Sequence, residues 1–121
     1  MICLDSNYLI LGATDGTDES DRIYSWLMAG EQIITPSICW YEFTCGPVSD
    51  TQRDFMRSFL SGILPFTELE VEIAGRLFGQ AGRKRSLKTD AMIAATAITA
   101  RAALATNNLE DFQKFPGLNV L

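Results

Sequence analysis

Five residues of this chain could act together on a polar substrate: Asp5, Glu42, Asp90, Asn108 and Asp111. Asp5 follows the apolar run Met1-Ile-Cys-Leu, Asp90 opens a stretch of small residues, and Asn108 with Asp111 follows Ala103-Leu-Ala-Thr. The chain has no histidine, which removes imidazole bases and Ser/His or Cys/His nucleophile systems. Its three cysteines, Cys3, Cys39 and Cys45, include no CxxC pair, so buried reduced thiols are expected and a structural zinc site is not. Carboxylates and a hard, oxygen-seeking cation are the simple means that remain. Acids brought within a few Å repel one another and take up protons or cations. Mg²⁺ or Mn²⁺ suits such a site, where it activates water and stabilises a phosphodiester during in-line displacement.

Each of these residues also has a purely structural reading. A lone Asp at position 90 favours the free N–H groups and positive dipole end of a helix start. Glu42 is an ordinary helix-face acid unless packing among Trp40, Tyr41 and Phe43 directs it elsewhere. Asp111 either supplies charge beside Asn108 or caps a short helix. What separates the readings is where the surrounding elements place these side chains.

Met1-Ile-Cys-Leu lacks amphipathic alternation, as expected of a strand buried on both faces, and it ends at Asp5-Ser6-Asn7. A brief helix over Tyr8–Leu11 stops at Gly12, and Ser20 to Gly30 has the one-sided apolar spacing of a surface helix. Gln32–Thr35 is a second strand; Thr35-Pro36 supplies a cap and first-turn proline for a helix from Ser37 to Thr44. Asp50 is the expected cap of the next helix, Thr51 to Leu60, with Phe55, Phe59 and Leu60 on its inner side. Ile63–Phe66 is a short strand weakened by Pro65, and Thr67-Glu-Leu-Glu70 has the pattern of a capping box. The helix it opens runs to Ala81; the Asp90 helix follows, then a buried strand over Ala103–Thr106. Helical turns over Leu109–Phe115 and a terminal strand over Leu118–Leu121 complete the chain.

Strands thus alternate with helices, and none is joined to its neighbour by a two-residue hairpin. This implies an α/β fold in three α/β/α layers, with a mainly parallel central sheet, in a single domain over residues 1–121. In such a sheet the loops at the strands' carboxyl ends share one edge with the helix starts that follow, and Asp5, Asp90, Asn108 and Asp111 all fall there. A hydrophobic fraction of 47 %, no apolar run near the ~20 residues that span a bilayer and no signal-peptide pattern fit a cytoplasmic protein. A formal charge of −5 argues against a nucleic-acid partner, but less so if several of the acids converge on metal ions. Arg83, Lys84, Arg85 and Lys88 form the one dense basic cluster, either a solvated helix end or a grip for a phosphate backbone; Arg53 and Arg57 could extend it. The aromatic residues at 40, 41 and 43 fit a core or dimer interface better than a base-stacking platform.

The ordered set of Leu4-Asp5-Ser-Asn7, Glu42, Thr89-Asp90-Ala-Met-Ile-Ala-Ala-Thr-Ala97 and Ala105-Thr-Asn-Asn-Leu-Glu-Asp-Phe112 covers nearly the whole chain. It resembles the PIN-domain ribonucleases, and within them the VapC-type toxins of toxin–antitoxin pairs. The resemblance implies a metal-dependent endoribonuclease in which Asp5 and Asp90 hold Mg²⁺ or Mn²⁺ and Glu42 completes the site directly or through water. It also implies a homodimer and a small VapB-like antitoxin that blocks the acidic cleft. Many relatives carry a fourth acid where this chain has Asn108, which can coordinate through its carbonyl but adds no charge. Ser6 and Asn7 either orient Asp5 by hydrogen bonds or serve the turn and helix start. Outside this family, a metal-dependent phosphatase needs a second acid at position 7, which is Asn, and a receiver domain needs an acid pair and a late-strand lysine that are not evident. A PIN-fold binding module without catalysis is the alternative from a different class.

Overall fold

Ile2, Cys3 and Leu4 carry no polar side chain, and strand β1 (Ile2–Leu4), which they form, is buried along its whole length. The computed structural model describes all 121 residues. After β1 come helices α1 (Ser6–Gly12) and α2 (Asp18–Met28), strand β2 (Ile33–Pro36), helices α3 (Ser37–Cys45) and α4 (Asp50–Phe59), and strand β3 (Gly62–Leu64). Helix α5 (Glu68–Gln80), a 3₁₀ turn at Arg85–Leu87, helix α6 (Lys88–Thr99), strand β4 (Ala103–Ala105) and helix α7 (Leu109–Phe112) complete the order.

The four strands form one all-parallel sheet in the order β3-β2-β1-β4. Parallel neighbours need long crossovers, and helices supply every one, giving the expected three-layer α/β/α arrangement. Helix α1 packs with both α2 and α3, while α5 packs along α6, which also contacts β2 and β4. The chain moves outward from β1 through β2 to β3 and then returns to the far side of β1 as β4. The strand order therefore reverses between β1 and β4, and in open α/β sheets the crevice beyond the strand ends at such a reversal is where ligands bind.

Helix α6 lies close to the sheet because it is built of small residues: Ala91, Ala94, Ala95 and Ala97 are buried, with Ile93 and Thr96 beside them. Asp90 stands in its first turn. Helix α5 ends in a left-handed turn at Gly82 (φ 94°) and Arg83 (φ 59°), where the Arg83 N–H donates to the Phe78 carbonyl at 3.0 Å. Glycine is favoured in this region, and Arg83 carries the conformation at some cost in stability. No helix is long and apolar enough to cross a membrane.

Several local expectations are corrected. Thr35 does not cap α3; its hydroxyl donates to the Leu4 carbonyl at 2.8 Å, and Pro36 ends β2 instead of opening the helix. Ser49, not Asp50, caps α4, in a reciprocal box with Gln52. The fully buried residue of α4 is Met56; Phe59 and Leu60 are half-buried against the core as expected, while Phe55 is 47 % exposed, lying edge-on to Phe59. The Thr67 hydroxyl bonds the Glu70 carboxylate and leaves the backbone N–H groups of α5 uncapped by side chains. The terminal segment makes a single parallel bridge, Val120 to Leu104, and not a full strand. Cys3 and Cys39 are buried as expected, but Cys45 is exposed at the end of α3.

Ala94 is fully buried, so an added side chain there must push α6 away from its neighbours. Overpacking of this kind costs about 1–3 kcal/mol. Ala94→Leu is expected to lower the urea midpoint correspondingly, whereas Ala103→Val, at a half-buried strand position, should change it little.

Candidate functional site

The carboxyl ends of β1 and β4 are tied together by the Asp5 N–H, which donates to the Ala105 carbonyl at 3.3 Å. Asp5 then leaves the strand in an extended conformation (ψ 178°) and becomes the N-cap of α1. Its Oδ1 accepts the Tyr8 N–H at 2.9 Å, satisfying one free donor of the first turn. The side chain is only 5 % exposed. Burial raises its pKa above the ordinary carboxylate value, hydrogen bonds from Thr106 and the Tyr8 N–H oppose the rise, and the negative charge of Glu42 adds to it.

Glu42 reaches the same place from α3. Its Oε1 accepts a hydrogen bond from Ser6 Oγ at 2.8 Å, and this contact brings an otherwise exposed helix acid to the strand ends. Ser6 therefore orients Glu42, where the sequence suggested Asp5. Asp90 faces them from α6. Its pKa is pushed up to about 6, first by burial and then by the negative charges of Asp111, Asp5 and Glu42. Together with Asn7, Thr89, Asn108, Ile93 and Phe112, these residues line a polar cleft of about 190 Å³. Nothing lining it carries a positive charge.

Asn108 enters this cleft and Asp111 does not line it. Asn108 Nδ2 donates to Asp111 Oδ2 at 3.1 Å, which leaves the amide carbonyl as the atom without a protein partner. Asp111 is held below the usual carboxylate range, mainly by that bond and further by Lys114, whose Nζ is 3.5 Å away. It keeps its charge and acts on Asp90 across the gap. Asp111 does not cap α7 through its side chain; Asn108 occupies the N-cap position.

The basic cluster lies outside the cleft. Arg83, Lys84, Arg85 and Lys88 are all exposed, carried by the left-handed turn and the 3₁₀ turn that lead into α6. Arg53 pairs with Asp50 on its own helix at 2.9 Å, and Arg57 is exposed. The aromatic group divides: Phe43 is buried with Trp40 against it at 5.2 Å, while Tyr41 is 68 % exposed. Cys3 and Cys39 sit near the acids, but burial pushes the Cys39 thiol up to about 12 and raises Cys3 as well, so both are neutral packing groups.

The donors fit a hard cation by chemistry: carboxylate oxygens, an amide oxygen, and uncompensated negative charge that raises the pKa of its own members. No three acid or thiol side chains stand close enough to share one ion directly. An ion here would keep part of its water shell, as Mg²⁺ commonly does. One residue that lines the cleft, Thr89, was given no role by the sequence, where it reads as a helix-start residue; the available signal was its position beside Asp90.

The PIN domain model matches residues 2–118. The chain belongs to the PIN domain family. A chain of a toxin–antitoxin complex from Klebsiella pneumoniae superimposes with a TM-score of 0.77 at 27 % identity, over 98 % of this chain and 95 % of that one. VapBC2 from Rickettsia felis, solved with a DNA fragment from its promoter, gives 0.78 at 23 % identity, covering 100 % and 98 %. FitAcB from Neisseria gonorrhoeae gives 0.76 at 22 %, covering 100 % and 96 %. A search of curated proteins produced no match. The fold is thus shared over the whole length with chains of VapBC-type assemblies.

The raised pKa of Asp90 has a consequence for stability. Between about pH 4 and pH 6 the folded protein holds a proton at Asp90 that the unfolded chain has released, so stability falls as pH rises through that window. For a half-buried group the effect is about 1 kcal/mol after the discount for solvent screening. In EDTA at pH 7, Asp90→Asn is therefore expected to raise the melting temperature by about 3–6 °C and to flatten its decline above pH 5. A lower melting temperature in the Asn variant would mean that the charge serves the helix start instead.

Proposed function

We propose that this PIN domain is a divalent-metal-dependent endoribonuclease and the toxin of a toxin–antitoxin pair. The observation that carries the reading is the cleft at the β1/β4 reversal: Asp5, Glu42, Asp90 and Asn108 meet there from four segments with no cation among them. Asp5 and Asp90 would hold Mg²⁺ or Mn²⁺, Glu42 through water or directly, and Asn108 through its free carbonyl oxygen. The bound ion supplies an activated water and charge stabilisation for phosphodiester hydrolysis. The protein's own contribution is placement. Ser6 holds Glu42, the α1 N-terminus holds Asp5, and Asp111 holds the Asn108 amide in one orientation.

The exposed Arg83, Lys84, Arg85 and Lys88 would grip RNA phosphates on the approach to Asp90. This reconciles a net charge of −5 with a polyanionic substrate, since the acids are concentrated where metal would neutralise them. The resemblance to toxin–antitoxin chains supports a VapB-like antitoxin that covers the cleft, and a homodimer as the working unit. Residues 1–121 would act as one domain, in the cytoplasm.

Asp90→Asn and Asp5→Asn are the informative variants, because Asn retains the capping geometry at position 5. Each is expected to lower Mg²⁺- or Mn²⁺-dependent cleavage of RNA by at least about 10³-fold, the effect of losing several kcal/mol of transition-state stabilisation. EDTA should abolish cleavage and added Mn²⁺ restore it. Equal cleavage by wild type and Asp90→Asn would refute the assignment. Tight association with a partner and no metal-dependent turnover would favour a binding module.

A further inference from the structure

The polar side chains that line the cleft differ in whether the protein has already used their hydrogen-bonding groups. The Ser6 hydroxyl spends its one proton on Glu42 at 2.8 Å, and the Asn108 amide is turned toward Asp111 at 3.1 Å. Asn7 and Thr89 are the two neutral side chains of the cleft that bond to no other group of the protein. Of these, Thr89 is the one set beside positive charge. It follows Lys88 and precedes Asp90 in the first turn of α6, directly after the exposed turn that carries Arg83, Lys84 and Arg85. Packing fixes its place, since Leu87 and Ala91 on either side of it are buried. Thr89 and Ile93, four residues apart, both line the cleft, so this face of α6 is the one turned toward it. Side chains of a helix lean toward its N-terminus, which carries the Thr89 hydroxyl to the side of the basic turn. The hydroxyl is not spent on the helix itself, because no side chain caps α6.

We infer that Thr89 is a substrate-contacting residue: its hydroxyl donates to a non-bridging phosphate oxygen where the RNA backbone passes from the basic turn into the acidic cleft. A phosphate that leaves Lys88 meets carboxylates that repel it, and no lysine or arginine lines the cleft to draw it in. A neutral donor at this point solves the problem in a way that a cation would not. A lysine at position 89 would pair with Asp90 and compete with a bound ion for the same oxygens, whereas a hydroxyl bonds the phosphate and leaves the acids free. The acceptor is charged, so the bond is stronger than one between neutral groups.

The inference rests on the reading of the cleft as an RNA-cleaving metal site, and the measurements separate the two. Thr89→Val removes the hydroxyl with little change of shape, Thr89→Ser keeps it, and Thr89→Ala repeats the loss if the valine variant does not fold. Asn7→Ala removes the other uncommitted donor. Three quantities are measured on the full chain: the affinity for a fluorescein-labelled, ribose-methylated single-stranded RNA by anisotropy in Mg²⁺, the Mn²⁺ dissociation constant by electron paramagnetic resonance without RNA, and KM and kcat for cleavage of single-stranded RNA. Loss of the Thr89 hydroxyl is expected to weaken RNA binding and raise KM by about tenfold or more, with Mn²⁺ affinity unchanged and the serine variant close to wild type throughout. Wild-type RNA affinity in Thr89→Val would overturn it, and a weakening found in Asn7→Ala alone would give the contact to Asn7. Lost Mn²⁺ affinity in Thr89→Val would also overturn it, by placing the hydroxyl with the ion and not with the RNA. A wild type that binds RNA but neither binds Mn²⁺ nor cleaves would overturn the metal site, while the RNA affinities of the variants would still decide the contact. A wild type that binds no RNA would overturn both.

Discussion

A carboxylate at the end of a strand buried on both faces is destabilising unless something compensates it, and much of this fold is arranged around that constraint at Asp5. Burial raises its pKa, and the structure answers with the Tyr8 N–H, which donates to the carboxylate at 2.9 Å. That bond does not remove the charge problem, because Glu42 and Asp90 face the same cleft and no lysine or arginine lines it. The result is a set of acids that the protein holds together in spite of their repulsion. A folded chain that keeps such an arrangement gives up stability for it, and on the proposed reading a cation would restore the balance.

Topology explains why the acids meet here. In the order β3-β2-β1-β4 the reversal lies between β1 and β4, so the segments leaving these strands diverge and open a crevice. Asp5 and Asn108 flank it from the sheet. Asp90 arrives because α6, made of buried alanines, lies close enough to bring its first turn to the same edge. Glu42 comes from farther away, drawn in by the Ser6 hydroxyl. The basic residues remain outside, on the turn that feeds α6, so that positive and negative charge are adjacent but separate.

The sheet and the helix spans were legible because the short apolar runs and the helical spacing are strong signals: Ile2–Leu4, Ala103–Ala105 and the small-residue helix all appear where expected. The edge shared by Asp5, Asp90 and Asn108 followed from parallel α/β logic alone. Which partner each polar side chain would choose did not. Ser6 pairs with Glu42 because α3 packs on α1, a tertiary fact that no local pattern carries. Caps were off by one residue at α4, and Phe55 yielded the inner face to Met56, since aromatic size does not decide which side of an amphipathic helix meets the core.

The most direct test of the central claim, that the cleft between Asp5 and Asp90 is a cation site, is anomalous X-ray diffraction from crystals soaked in Mn²⁺. A metal site predicts one strong anomalous peak within the cleft, in contact with Asp5 or Asp90 and absent from crystals of Asp90→Asn. Saturating Mn²⁺ that leaves the wild-type cleft without a peak would contradict it.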